Sequence, residues 1–180
     1  MYITKNLLLI RKGASIALLL LLCAGFKADA GTAAEIEMLL QSQVVTYAQA
    51  TRFVLEAAGA AAFADPAQAF AFAMERNWLP RRASSEAPVT LSGISLLLMQ
   101  AFDLRGGILF TITKSPHFAY REMEYMGFIH GRVSPNQQVS GDTLLYITGK
   151  VLAHIEKEEV AASRRARTAL NRSGEMGELK

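Results

Sequence analysis

Few residue types in this chain can do chemistry, and their spacing rules out most reactions. There are three histidines, His117, His130 and His154. Zinc needs three or four ligands at close spacing, as in HExxH or paired Cys and His, and no such pattern occurs. No G-x-S-x-G elbow is present for a serine nucleophile. Glu122 and Glu124 are two apart, so on a helix they face different sides and do not form an acid–base pair. Gly106-Gly107 lacks the strand and helix of a phosphate loop and reads as a flexible link before Phe110. We therefore expect no enzyme, no metal site and no cofactor. Recognition chemistry remains. Trp78, Arg81 and Arg82 share one polar loop, and Lys114, His117, Arg121 and Arg132 gather later in the chain. Planar rings and arginine forks suit sugar faces and carboxylates, so these seven are the candidate ligand-binding residues. The competing reading packs Trp78 on the core and leaves Arg81, Arg82 and Arg132 as solvated loop residues.

The elements that must position them are written three times. Val45-Thr46 precedes Ala50, Phe53, Val54, Ala57 and Ala58. Val89-Thr90 precedes Ile94, Leu97, Leu98, Ala101 and Phe102, and Val139-Ser140 precedes Leu144, Ile147, Thr148, Val151 and Leu152. Each copy has a hydroxyl residue at the N-cap and an apolar stripe at i, i+3, i+4, i+7, i+8, the pattern of a one-sided helix. Thr46-x-x-Gln49 adds a capping box. Recurrence every 45 to 50 or so residues signals a repeat architecture. The lead-ins of the second and third copies also align: Phe70 with Tyr120, Ala73 with Met123, Asn77 with Gly127, Trp78 with Phe128 and Leu79 with Ile129. Asn and Gly best tolerate the left-handed conformation that ends a helix. The unit is thus helix, hydrophobic turn, polar loop, capped helix. A first unit is shorter, with a helix over Ala33 to Gln41 that carries Ile36, Leu39 and Leu40. No segment alternates convincingly, so the fold is expected to be all-α.

The front of the chain reads as an address. Lys5, Arg11 and Lys12 precede an apolar run from Ala14 to Leu22, and Ala28-Asp29-Ala30 supplies a small-x-small cleavage site before Gly31. This is the pattern of a secretory signal peptide over residues 1–30, with a run too short for a stable membrane span. No transmembrane helix is expected after cleavage, and the mature chain is expected in the periplasm or cell envelope. The rivals are lipidation at Cys23, which follows Leu22 where a small residue is normally needed, and an uncleaved anchor. The leader contains Lys5, Arg11, Lys12 and Lys27 against Asp29, so the formal net charge of +3 belongs to it and the remainder is balanced. Nucleic acid is then not an expected partner. The mature chain lacks cysteine, which excludes a disulfide framework.

The last unit resembles a repeat of the S-layer homology family. The resemblance rests on Phe110, His117-Phe118-Ala119-Tyr120, Glu124 through Gly131, Pro135-Asn136 and Val139-Ser140. Phe63 to Phe102 is a weaker copy and Ala33 to Ala58 a truncated one. The resemblance implies tandem helix–loop–helix repeats packed as a pseudo-threefold helical domain that binds cell-wall polymer without covalent attachment. The expected layout is a repeat domain over residues 31–155, in units 31–62, 63–109 and 110–155. A charged helical extension over 156–180 follows, ending in a disordered tail from about Asn171. Arg164-Arg165-Ala166-Arg167 there are basic enough for phosphates or acidic lipid, but a solvated helix end is the expectation. In wall-binding repeats the capped helix begins Thr-Arg-Ala-Glu, and its Arg helps to hold an anionic sugar group. Here the matching residues are Thr46-Tyr47-Ala48-Gln49, Thr90-Leu91-Ser92-Gly93 and Ser140-Gly141-Asp142-Thr143, and no copy has the Arg. Two partners follow: a wall glycan, for a binding module attached to peptidoglycan or an associated polymer, or another envelope protein, for a helical adaptor that has lost the glycan site.

Overall fold

Thr46, Thr90 and Ser140 each end an extended stretch and open a helix. The computed structural model describes residues 30–131 and 133–177. Its elements are α1 (Ala30–Gln41), α2 (Tyr47–Ala57), α3 (Pro66–Glu75), α4 (Leu91–Ala101), α5 (Ile108–Thr113), α6 (Pro116–Tyr125) and α7 (Gly141–Gly177). No strand occurs among the described residues. Extended pairing is limited to the isolated bridges Thr46–Pro88 and Thr90–Gln138. The fold is all-α.

The caps form as their sequence predicts. The Thr46 hydroxyl accepts from the Gln49 N–H while the Gln49 side chain accepts from the Thr46 N–H, completing the capping box. Thr90 accepts from the Gly93 N–H, and Ser140 from the Thr143 N–H. Behind each cap the stripe is buried: Ala50 and Val54 in α2, Ile94, Leu97 and Leu98 in α4, Leu144, Ile147 and Val151 in α7. All of these belong to one hydrophobic cluster. The predicted helix ends also appear. Asn77 and Gly127 take φ of 57° and 75°, which lets the Trp78 N–H reach the Ala73 carbonyl and the Phe128 N–H reach the Met123 carbonyl. These are the long hydrogen bonds of a Schellman turn, and they fold Leu79 and Ile129 onto the core.

The three Val residues ahead of the caps are tied to one another. The Val45 N–H donates to Val139 O at 3.0 Å, the Val89 N–H to Val45 O at 2.9 Å, and the Val139 N–H to Val89 O at 3.0 Å. Each valine gives one hydrogen bond and receives one, so the ring closes. A second set runs outside it: Tyr47 N–H to Ala87 O, Leu91 N–H to Gln137 O, and Gly141 N–H to Ser42 O. At Gly141 the backbones meet so closely that a Cβ would fall on the Leu39 carbonyl. Tyr47 lies against Gly93 in a similar way, its hydroxyl 3.3 Å from that of Thr90. These contacts order the loops through backbone groups, satisfying donors that burial would otherwise orphan.

Two findings go beyond the sequence reading. Gly106-Gly107 is no plain link: Gly107 is the N-cap of α5, and Cβ atoms on the pair would meet Phe110 and Glu122. Helix α7 runs unbroken from Gly141 through residue 156 to Gly177, past Asn171. Its length of about 55 Å follows from the helical rise. The chain divides after Met38, and the caps, turns and valine ring described above lie within residues 39–180. Residues 1–29, which hold most of the expected leader and Cys23, lie outside the described residues, while the expected cleavage bond Ala30–Gly31 falls at the start of α1. Among the described residues no helix is long and apolar enough to cross a membrane.

Candidate ligand-binding clefts

The seven predicted residues separate into a loop patch and a helix face. Trp78 is half-buried against the core and stands edge-on to Phe72, with ring centres 6.1 Å apart. Phe63 tilts onto the same ring at 5.1 Å, and the Arg76 guanidinium lies 3.5 Å over its face. Trp78 is therefore both core packing and the edge of an aromatic patch, a case in which the two sequence readings overlap. Arg81 and Arg82 are exposed in the turn after Pro80. His117 and Arg121 are exposed on α6, His117 edge-on to Phe118 at 5.4 Å. Lys114 ends α5 in a left-handed conformation, its ammonium 4.9 Å from the Phe110 ring. Arg132 lies outside the described residues.

Of these residues, Lys114 lines a cleft, and it does so with partners the sequence reading did not choose. The turn Asp103-Leu104-Arg105 follows α4, with Asp103 at φ 48°, a conformation Asp tolerates better than most side chains. On one side of this turn lies a cleft of about 450 Å³, bounded by Phe102, Met126 and the α7 residues His154, Ile155, Glu158 and Arg165. On the other lies one of about 340 Å³, closed by Gly106, Phe110, Thr111 and Lys114. Both share Asp103, Leu104 and Arg105. The first cleft mixes polar and apolar surface about equally, the second is mainly polar, and both carry charges of both signs. His154 stacks edge-on with Phe128 at 5.3 Å, and its Nε2 is 3.5 Å from Glu158 Oε1, an ion pair once the imidazole is protonated. No group of three or more His, Cys, Asp or Glu among the described residues could hold a metal. The clefts offer arginine forks beside mixed polar and apolar surface.

Tyr120 holds the loop that carries Val133. Its hydroxyl donates toward Val133 O at 2.6 Å and Glu124 Oε1 at 2.7 Å, one proton between two acceptors. Burial first, and the Glu124 carboxylate second, push the phenol up to about 12.

The second residue of each capped helix start is packed rather than free. Tyr47 and Leu91 are 6% and 3% exposed, and Gly141 is buried against the Leu39 carbonyl. Arg105, His154 and Arg165 were missed as a set because they come from segments far apart in the chain; no local pattern announces them. Comparison of the chain with known protein families, curated proteins and solved structures finds no match.

Proposed function

We propose that this chain is a non-catalytic binding module of the cell envelope, built on the plan of three S-layer homology-like units, and that it works as a helical adaptor for another envelope protein. The closed Val45–Val139–Val89 ring supports the pseudo-threefold plan, since each unit makes the same backbone bond to a neighbour. One observation carries the adaptor function: the family's ligand positions are filled by buried Tyr47, Leu91 and Gly141, which hold the units together. A side chain engaged in packing is not free to grip a polymer. Meanwhile α7 runs on past Ile155, and Leu152 and Val160 on it are 42% and 46% exposed. A photo-crosslinker at Val160 should capture a discrete envelope protein, and a diffuse or empty pattern would count against the adaptor.

One observation favours the wall glycan: the half-buried Phe63–Phe72–Trp78 patch beside exposed Arg76, Arg81 and Arg82. Aromatic faces with arginine forks suit an anionic sugar chain. Sedimentation with purified sacculi separates the two. The adaptor stays in the supernatant at low salt. A glycan module sediments, is released by salt, and loses binding when Arg81, Arg82 and Arg132 are all changed to Ala.

A further inference from the structure

The short helix α5 is apolar on the wrong side. Phe110, 1% exposed, anchors it in the core, while Ile108, Leu109 and Ile112 are 78%, 58% and 76% exposed. Exposed aliphatic residues scattered singly are ordinary, but three on one six-residue helix form a knob. Three side chains do not by themselves make a stable protein interface, which takes roughly 20–30 residues a side. A lipid layer, which flows around what enters it, suits the shape better. The helix's polar groups agree. The Thr111 hydroxyl donates to Gly107 O at 3.1 Å and the Thr113 hydroxyl to Leu109 O at 2.7 Å. Both hydroxyls are thus satisfied within the helix, as an apolar medium demands. Cations stand at its two ends, Arg105 before it and Lys114 after it, both exposed and lining one cleft with Phe110 and Thr111. Arg121 is exposed on the next helix. Asp103 shares that cleft and Glu122 comes up to Gly107, so the cationic excess is small and the apolar residues carry much of the contact.

We propose that α5 is a membrane-surface contact: Ile108, Leu109 and Ile112 enter the outer part of an anionic lipid leaflet while Arg105 and Lys114 meet its phosphates. This goes beyond the adaptor function, since it gives the module a lipid face separate from α7. The test places a reporter in the knob. Ile112→Trp is made in the chain as the cell processes it, with Ile108→Trp as a second probe and circular dichroism to confirm folding. The parent's one tryptophan, Trp78, gives the baseline. Vesicles carry acyl-chain-brominated lipid, in phosphatidylglycerol–phosphatidylcholine mixtures or phosphatidylcholine alone. The expected result is blue-shifted, quenched emission from the added tryptophan on anionic vesicles. Arg105→Glu with Lys114→Glu should weaken that binding about tenfold or more. An added tryptophan that stays unquenched, even when the chain travels with the vesicles, overturns the proposal. So does equal quenching on neutral vesicles that the charge reversal leaves untouched. Crosslinking from α7 reads the adaptor separately, so failure at α5 does not decide it.

Discussion

Tyr120 gives the module a signature in alkaline solution. Its phenol ionises near 10 in an unfolded chain and near 12 in the fold, where burial and Glu124 oppose the phenolate. Between these values the unfolded state binds fewer protons than the folded one, so unfolding is favoured as pH rises. The stability tied to this group is fully present below about pH 10 and is lost as pH climbs through about 12. The loss is on the order of 2 kcal/mol for a shift of this size. Urea unfolding should show that decline in the parent chain and a smaller one in Tyr120→Phe. Parallel slopes would mean that the phenol is open to water in solution. Tyr120→Phe should also be less stable at neutral pH, because it strips Val133 O of a buried donor.

Among the helices, depth in the stripe sets the cost of a change. Leu98 is fully buried at the middle of α4, so Leu98→Ala should cost about 2–5 kcal/mol. Lys157 is exposed on α7, and Lys157→Ala should cost under about 0.5 kcal/mol. Equal and small effects in denaturant unfolding would show that the stripes do not share a core. The α2, α4 and α7 starts were legible in the sequence because a cap and a stripe are local properties, complete within a dozen residues. So were the turns at Asn77 and Gly127, where one residue's tolerance of positive φ decides the outcome. Helix α5 was hidden: Ile108-Leu109-Phe110 has no side-chain cap and is too short for a period to emerge. The cleft at Asp103–Arg105 was hidden for a different reason. Its other wall comes from α7, and only packing brings Arg165 into the same cleft as Arg105. Of the residues picked for their chemistry, Lys114 reached a cleft while His117 and Arg121 stayed on an exposed face.

For the molecule as a whole, the valine ring makes the segments that open α2 and α7 depend on each other. A chain stopped after Gln138 keeps two capped helices but loses Val139, which accepts from Val45 and donates to Val89. It also loses Leu144, Ile147 and Val151 from the core. Such a chain should show little helical circular dichroism and no cooperative urea transition. A sharp transition would mean that the first two capped helices fold without α7, as stacked solenoid repeats can. The ring also has a consequence in time. Its closing bond joins Val45 to Val139, a contact between residues distant in sequence, and such contacts slow folding. A ribosome adds roughly 5–20 residues each second and releases the N-terminal portion first. For most of that interval the Val45 amide has no carbonyl to meet, because Val139 has not yet been made. The chain is thus held open during its own synthesis, and its native state begins only when the last third has emerged.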